Sequence, residues 1–483
     1  MWKSLKLSPT SWLTTKTVFS QVFGVLLFAV QAPLLGPRAF GLISVVMVFV
    51  GFCEVVLCEA AAESLISVRR IDDTHFDSMN TVIVAVSLFC SFIVFLGAEP
   101  AARWFGDAEL APILRWMSLL PVISAFAAAP TAATKRDMQF QPLAMRSIAS
   151  LFIGGTVGLV LTLGGGGVWA LVWQAIVTRV VASIVLWMAV PLRFRFGFSA
   201  ASLGDLAHFA LPVMLSRTMN WVTSQVPRLI LGLYWGPTEL GLYGLASRLN
   251  DIVLEVTVVP RYAVARVELR RYAIDRDGMQ GAVNRLFVNM SVFCFPLCVG
   301  GAAVAPTLFH AWLDPRWYGG IFPAELLLLM CVPFVTHYCV GAALLAFNQQ
   351  RPEALISVAQ MVATLAAVLI FAPLGLNTAT AAIAIRPLVL LPLPVWLLGR
   401  QCQVRMSTIL LAQLPALTAA GAMGLGIWLL RLALQSHVGS LLLLLILTAT
   451  GAGIYSGLIV VLMPDFAKQF AERCGLRRGR AVT

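Results

Sequence analysis

Two stretches 200 residues apart decide how this chain folds: LLGPRAFGLISVV from Leu34 to Val46 and YWGPTELGLYGLA from Tyr234 to Ala246. Gly36, Pro37, Gly41 and Leu42 of the first recur as Gly236, Pro237, Gly241 and Leu242 of the second. In each copy the Gly-Pro pair ends one apolar run and the Gly-Leu pair opens the next, as helix stop and start chemistry requires. The two turns fall at equivalent points of two blocks of six apolar runs. Six is even, so both blocks keep one orientation. The pattern is a parallel repeat with its axis along the membrane normal.

Composition makes the membrane unavoidable. Of 483 residues 59% are hydrophobic and only 12% charged, with a mean hydropathy of +0.88. A soluble domain carries about 25% charged residues. The net charge of +12 would ordinarily suggest nucleic acid, but the basic residues are scattered along an apolar chain, and nucleic-acid binding is excluded. Nine cysteines show no paired spacing with His or acidic residues, so no metal site, cofactor or disulfide framework is expected.

Apolar runs of about 20 residues predict fourteen spans, near 12–35, 39–62, 78–98, 110–131, 143–164, 167–190, 206–235, 239–262, 285–309, 321–347, 354–373, 376–398, 408–431 and 440–463. The first is over-long for a signal peptide and carries Lys16, Gln21 and Gln31. The fold class is therefore an all-α polytopic membrane protein. An N-terminal lobe over 1–198 holds spans 1–6 and a C-terminal lobe over 199–402 holds spans 7–12. Residues 403–463 form a spare pair, and 464–483 a basic tail. With a cytoplasmic N-terminus, inside segments hold 21 Lys and Arg against 4 outside, namely Arg38, Arg103, Arg316 and Arg431. That asymmetry puts both termini in the cytoplasm. The connections, such as Gly236–Thr238, leave no room for a soluble catalytic domain.

Ionisable groups at membrane depth are costly and should face a bundle interior or a wet cavity. Arg217, Trp221, Ser224 and Arg228 in span 7 are spaced to share one helical face, with Asn220 and Gln225 at its edges. Span 8 continues with Arg248, Asp251 and Glu255. Counted from the outer turn, Arg228 matches Arg248 in depth, and Arg217 matches Asp251. Two readings stay open: internal ion pairs (Arg217–Asp251, Arg248–Glu255), or a cavity whose surplus arginine holds an anion. Arginine suits the second because its planar fork binds phosphate oxygens in pairs. In the first lobe Lys16, Ser20, Gln21 and Gly24 form a mostly uncharged stripe. Glu54 is deep enough to pair with Lys16 or to take a coupling proton, and Asp251 and Glu255 are the second-lobe coupling candidates. Arg179 and Arg386 either line the cavity or meet a carboxylate. Arg115, Arg146 and Arg285 lie near span ends and read as snorkelling, and His337 as hydrogen-bonded packing.

These motifs resemble a family. Gly-Pro-x-x-x-Gly-Leu after the first helix, GPTELGLYGLASRL from Gly236 to Leu249, and GGVWALV from Gly166 to Val172 are similar to the bacterial polysaccharide-biosynthesis transporters. These are lipid-linked oligosaccharide flippases of the multidrug/oligosaccharidyl-lipid/polysaccharide exporter superfamily. The resemblance implies a V-shaped pair of lobes, alternating access, and a cationic cavity for a (pyro)phosphate-sugar headgroup. It implies that spans 13 and 14 accommodate a polyprenyl tail, that the protein is a transporter and not an enzyme, and that it works in the bacterial inner membrane. Its candidate partners are the lipid-linked substrate, the bilayer, a glycan polymerase and a chain-length regulator. Two rivals are a multidrug exporter on the same scaffold, which would want acidic cavity residues, and a membrane glycan polymerase or ligase, which would want long outer loops.

Overall fold

The computed structural model describes residues 9–59, 73–189, 197, 199–273, 278–402 and 404–473, without side-chain detail at a few helical positions. The described residues are helical throughout, with no strand among them. Eleven stretches are long and apolar enough to cross a membrane. By Cα proximity the chain divides into two compact units, Met1–Gly241 and Leu242–Thr483.

The first unit begins with α1, Pro9–Gly51, running into a π-helical segment, Phe52–Glu59. Forty-three helical residues would reach about 65 Å, twice the hydrocarbon thickness, so a span of this length must break. It does so at Gly36, with φ 74° and ψ 171°. The same break recurs in α9, Ala200–Arg270 in sequence, at Gly236 with φ 77° and ψ −179°. This corner of backbone space is essentially open to glycine alone. The sequence repeat is thus a structural repeat: one turn, built twice.

Between these helices lie α2 (Asp73–Leu96), the short α3 (Ala98–Phe105), α4 (Leu110–Met117), α5 (Leu119–Phe126), α6 (Ala128–Arg136), α7 (Phe140–Leu163) and α8 (Val168–Ala189). Helices α4 to α6 together make one membrane-length stretch, Leu110–Arg136. Leu42, Val45, Val46 and Val50 of α1 are buried with Leu110, Ile113 and Met117 of α4 and Val172 of α8. Small residues on α7 bring its neighbours close. A Cβ at Gly154 or Gly158 would strike Thr178 or Gln174 of α8, and one at Gly155 would strike Phe23 and Leu27 of α1. Gln31, buried just over one turn before the Gly36 break, donates to Gln174 Oε1 at 2.7 Å, so its amide is satisfied inside the helix packing.

The second unit continues through α10 (Met279–Trp312), α11 (Ile321–Ala346), α12 (Gln350–Phe371), α13 (Leu376–Val389), α14 (Pro392–Cys402), α15 (Met406–Leu434), α16 (Ser440–Leu462) and α17 (Pro464–Arg473). The last membrane pair is no loose appendage. Ile409, Ala416, Ala420 and Met423 of α15 and Leu447 of α16 share one core with Phe287, Met290 and Phe295 of α10. Tyr455 Oη donates to the Val292 carbonyl at 2.7 Å, and Ser291 Oγ to Gln413 Oε1 at 3.0 Å.

In segments that the arginine count puts outside, Arg38 forks onto Asp107 (Nη2 to Oδ2, 2.9 Å) and also meets Glu109 at 3.1 Å. Arg316 Nε lies 2.8 Å from Asp314 Oδ1. Backbone and side-chain hydrogen bonds from Arg316 hold the exposed Asp314 carboxyl below its ordinary range.

Candidate functional site

One group of intramembrane charges in the first unit centres on Glu54. Glu54 sits on the π-helical segment, where a wider turn re-aims the side chains of the helix, a distortion frequent at functional sites. Its carboxylate is buried and takes a two-pronged grip from Arg179 of α8: Nε to Oε1 at 2.9 Å and Nη2 to Oε2 at 2.8 Å. Ser124 of α5 donates a short hydrogen bond to Oε1. The alternative partner suggested by sequence, Lys16, is not the one that holds Glu54. The Arg179 side chain remains 39% exposed against 10% for Glu54, so the guanidinium faces outward from a satisfied carboxylate.

More positive charge surrounds this pair. Arg146 of α7 donates from Nη1 to Thr131 Oγ1 at 2.9 Å, and its charge acts on Glu54. Arg146 and Lys135 both act on Lys16 of α1, which is half-buried. Among the described residues two basic side chains, Arg179 of α8 and Arg146 of α7, thus act on the Glu54 carboxylate, and Lys16 of α1 lies within electrostatic range of Arg146 and of the exposed Lys135. Sequence reasoning missed Arg146, Lys135, Ser124 and Thr131. Arg146 stands near a span end and looked like a snorkelling group. The Arg146–Thr131 spacing of fifteen residues has no helical periodicity to betray it.

Span-7 residues fare differently from one another. Trp221 packs edge-on against Phe52 at 5.1 Å, two residues from Glu54, so its ring is part of the wall. Ser224 is exposed and its hydroxyl donates to the Trp221 carbonyl at 3.1 Å. Gln225 lies beside it, Nε2 to Ser224 Oγ at 3.4 Å. Arg217 and Arg228 are half-buried and each has interacting neighbours. The Asn220 side chain lies outside the described residues. Gln21 is half-buried on α1.

In the second unit Arg248, Asp251 and Glu255 are all half-buried on α9. No ion pair joins Arg248 to Glu255 among the described residues. Arg386 donates to Thr364 Oγ1 and lies over the Phe334 ring, 5.6 Å from its centroid. It meets an aromatic face and a hydroxyl rather than a carboxylate. His337 Nδ1 sits 3.1 Å from the Pro333 carbonyl of its own helix.

Comparison with known proteins bears on this arrangement. The succinoglycan biosynthesis transport protein ExoT of Rhizobium meliloti (strain 1021) is 26% identical over 288 residues, 60% of this chain and 58% of that protein. The lipopolysaccharide biosynthesis protein WzxC of Escherichia coli (strain K12) is 21% identical over 340 residues, 68% and 66% of the two chains. The chain thus spans less than two thirds of the length of these relatives. Among solved structures, lipid II flippase MurJ in an inward closed conformation superposes with a TM-score of 0.75 at 14% identity, covering 94% of this chain and 99% of that one. A multidrug resistance MATE family transporter of the MOP superfamily, inward-facing, gives 0.60 at 15% identity over 83% of this chain and 99% of its own. Both likenesses establish the fold. Residues 30–320, more than half of the chain, match the family described as polysaccharide biosynthesis protein, and to that family the chain belongs.

Proposed function

We propose that this protein is a flippase that moves polyprenyl-diphosphate-linked oligosaccharide units across the cytoplasmic membrane by alternating access, for exopolysaccharide, capsule or lipopolysaccharide synthesis. The observation that carries the reading is the buried Glu54 carboxylate gripped by Arg179, with the further positive charges of Arg146 and the half-buried Lys16 in the same unit. Charge inside a bilayer is expensive, and a buried ion pair roughly offsets its own desolvation. Basic groups beyond what Glu54 neutralises are therefore best explained by an anion that visits. A diphosphate supplies both the charge and the oxygen geometry that guanidinium forks match.

Family membership and the transport and biosynthesis names of its relatives support the same reading. Arg217, Arg228 and Arg248 are proposed as further phosphate ligands, with Asn220, Trp221, Ser224, Gln225 and Gln21 as polar or stacking wall for sugars. Glu54, Asp251 and Glu255 are proposed to couple transport to a proton or ion. The proposed layout keeps fourteen spans, lobes at 1–198 and 199–402, a helix pair at 403–463, and both termini in the cytoplasm of the inner-membrane orientation. A glycan polymerase and a chain-length regulator are the proposed partners. A multidrug exporter is disfavoured because organic cations require acidic walls, and this cluster is basic.

Lys16→Gln and Arg146→Gln test the reading in cells. Neither residue carries the Glu54 fork, so the variants should reach the membrane at normal levels. Lipid-linked oligosaccharide should then build up on the cytoplasmic leaflet. Normal glycan export by both variants would remove this cluster from the transport path.

A further inference from the structure

A surface groove lies within the second unit, far along the chain from the charges above. It is an open groove of about 660 Å³ where α11 turns into α12 beside α14, and its walls include Asn348, Gln349, Arg351, Leu355, Trp396 and Gln401. Asn348 makes the turn with φ 60°, a left-handed conformation that asparagine tolerates better than most residues. Its N–H donates to the Leu345 carbonyl at 3.2 Å and that of Gln349 to the Leu344 carbonyl at 2.8 Å. The mouth of the cavity is thereby held by backbone bonds, leaving the amide side chains free to meet a ligand.

The lining is amphipathic. Leu355 and Trp396 are 52% and 54% exposed, which suits acyl chains and not water. The Asn348 and Gln401 amides and the Arg351 guanidinium make no side-chain hydrogen bond or ion pair among the described residues, which suits water or a polar headgroup and not hydrocarbon. Arg400, next in sequence to the lining residue Gln401, stacks over the lining Trp396, 5.2 Å from ring centroid to guanidinium carbon. The nearby Glu353 carboxylate accepts from Ser357 at 3.2 Å and makes no ion pair with Arg351 among the described residues. The groove brings apolar and basic residues together at the turn between α11 and α12.

We propose that this cavity binds the headgroup of an acidic membrane phospholipid, its phosphate on Arg351 and Arg400 and its acyl chains along Leu355 and Trp396. Basic pockets between transmembrane helices at the cytoplasmic end recognise such headgroups, and exchange of a neutral partner for a charged one strengthens each hydrogen bond. The shared chemistry is a phosphate ester, which a soluble metabolite also carries. What distinguishes the lipid is the exposed apolar wall.

The experiment measures lipid retention by the purified full-length protein, using phosphatidylglycerol, phosphatidylethanolamine and glycerol 3-phosphate as separate probes. Arg351 and Arg400 are exposed, so Arg351→Gln and Arg400→Gln should fold normally. The wild type should prefer phosphatidylglycerol to phosphatidylethanolamine, and each variant should weaken that retention about tenfold, the loss of one charge-assisted bond. Retention of both lipids alike, or unchanged retention by the variants, overturns the proposal. Equal binding of glycerol 3-phosphate assigns the cavity to a soluble phosphate ester instead, and a competing neutral oligosaccharide assigns it to sugar. Either outcome contradicts the lipid assignment.

Discussion

Gly41 lies backbone to backbone against Pro237, so closely that a Cβ at Gly41 would collide with the Pro237 carbonyl oxygen. The contact has a twin: a Cβ at Gly241 would collide with the carbonyl oxygen of Pro37. Each repeat contributes its glycine to the other's proline. Such reciprocity is the mark of a two-fold arrangement, in which residue i meets j and j meets i. The four residues all belong to the first unit. The motif thus has a physical reason for both of its glycine positions, one for the break and one for the crossing.

Gly41→Ala and Gly241→Ala should each destabilise the protein, because the obstruction is main chain and cannot swing aside. Overpacking of a rigid site costs about 1–3 kcal/mol. Gly36→Ala and Gly236→Ala should cost a similar amount by backbone strain, although nothing crowds a Cβ at Gly236. Thermal unfolding in detergent measures all four. Wild-type stability in Gly41→Ala would mean that the crossing is looser than described.

The Glu54–Arg179 fork separates stability from transport. Arg179→Met should lower stability by about 3 kcal/mol by stranding a buried carboxylate, whereas Arg179→Met with Glu54→Gln should recover most of it. Export should stay impaired in both. If the double variant exports glycan at the wild-type rate, the fork is architecture and nothing more.

Coupling is tested by amides. Glu54→Gln and Asp251→Asn keep shape and remove the ionisable group, so export should lose its dependence on external pH or sodium if either carboxylate biases one transport state over another. Dependence unchanged in both variants removes the two residues from the coupling step.

Topology is tested by labelling single cysteines placed at Ser407 and Ser436. Both positions are exposed at opposite ends of α15. The first should label from the cytoplasm and the second from the periplasm. Labelling from one side only would contradict the fourteen-span layout and the basis for counting spans 13 and 14 as a pair.

Much of the fold was legible because its signals are local. Apolar runs give the spans, and Gly36-Pro37 and Gly236-Pro237 mark breaks that only glycine can make. The packing of α15 and α16 into the second core was not legible, since Tyr455 reaches Val292 across 163 residues with no motif at either end. The site was half legible. Glu54 and Arg179 stood out individually as charges in apolar runs, yet their pairing depends on a π-helical turn that no periodicity announces. The Arg146–Thr131 bond was not legible because depth along a helix says nothing of which neighbour faces it. The edge-on contact of Trp221 with Phe52 likewise had no sequence signal.

The most direct test is translocation in proteoliposomes. Purified protein should carry a fluorescent polyprenyl-diphosphate-linked oligosaccharide across the bilayer, and Arg228→Ala or Arg248→Ala should abolish that movement while lysine at either site restores part of it. Loss of the fork with retention of charge explains the partial rescue. Translocation by the alanine variants at the wild-type rate, or preferential transport of an organic cation, would contradict the account.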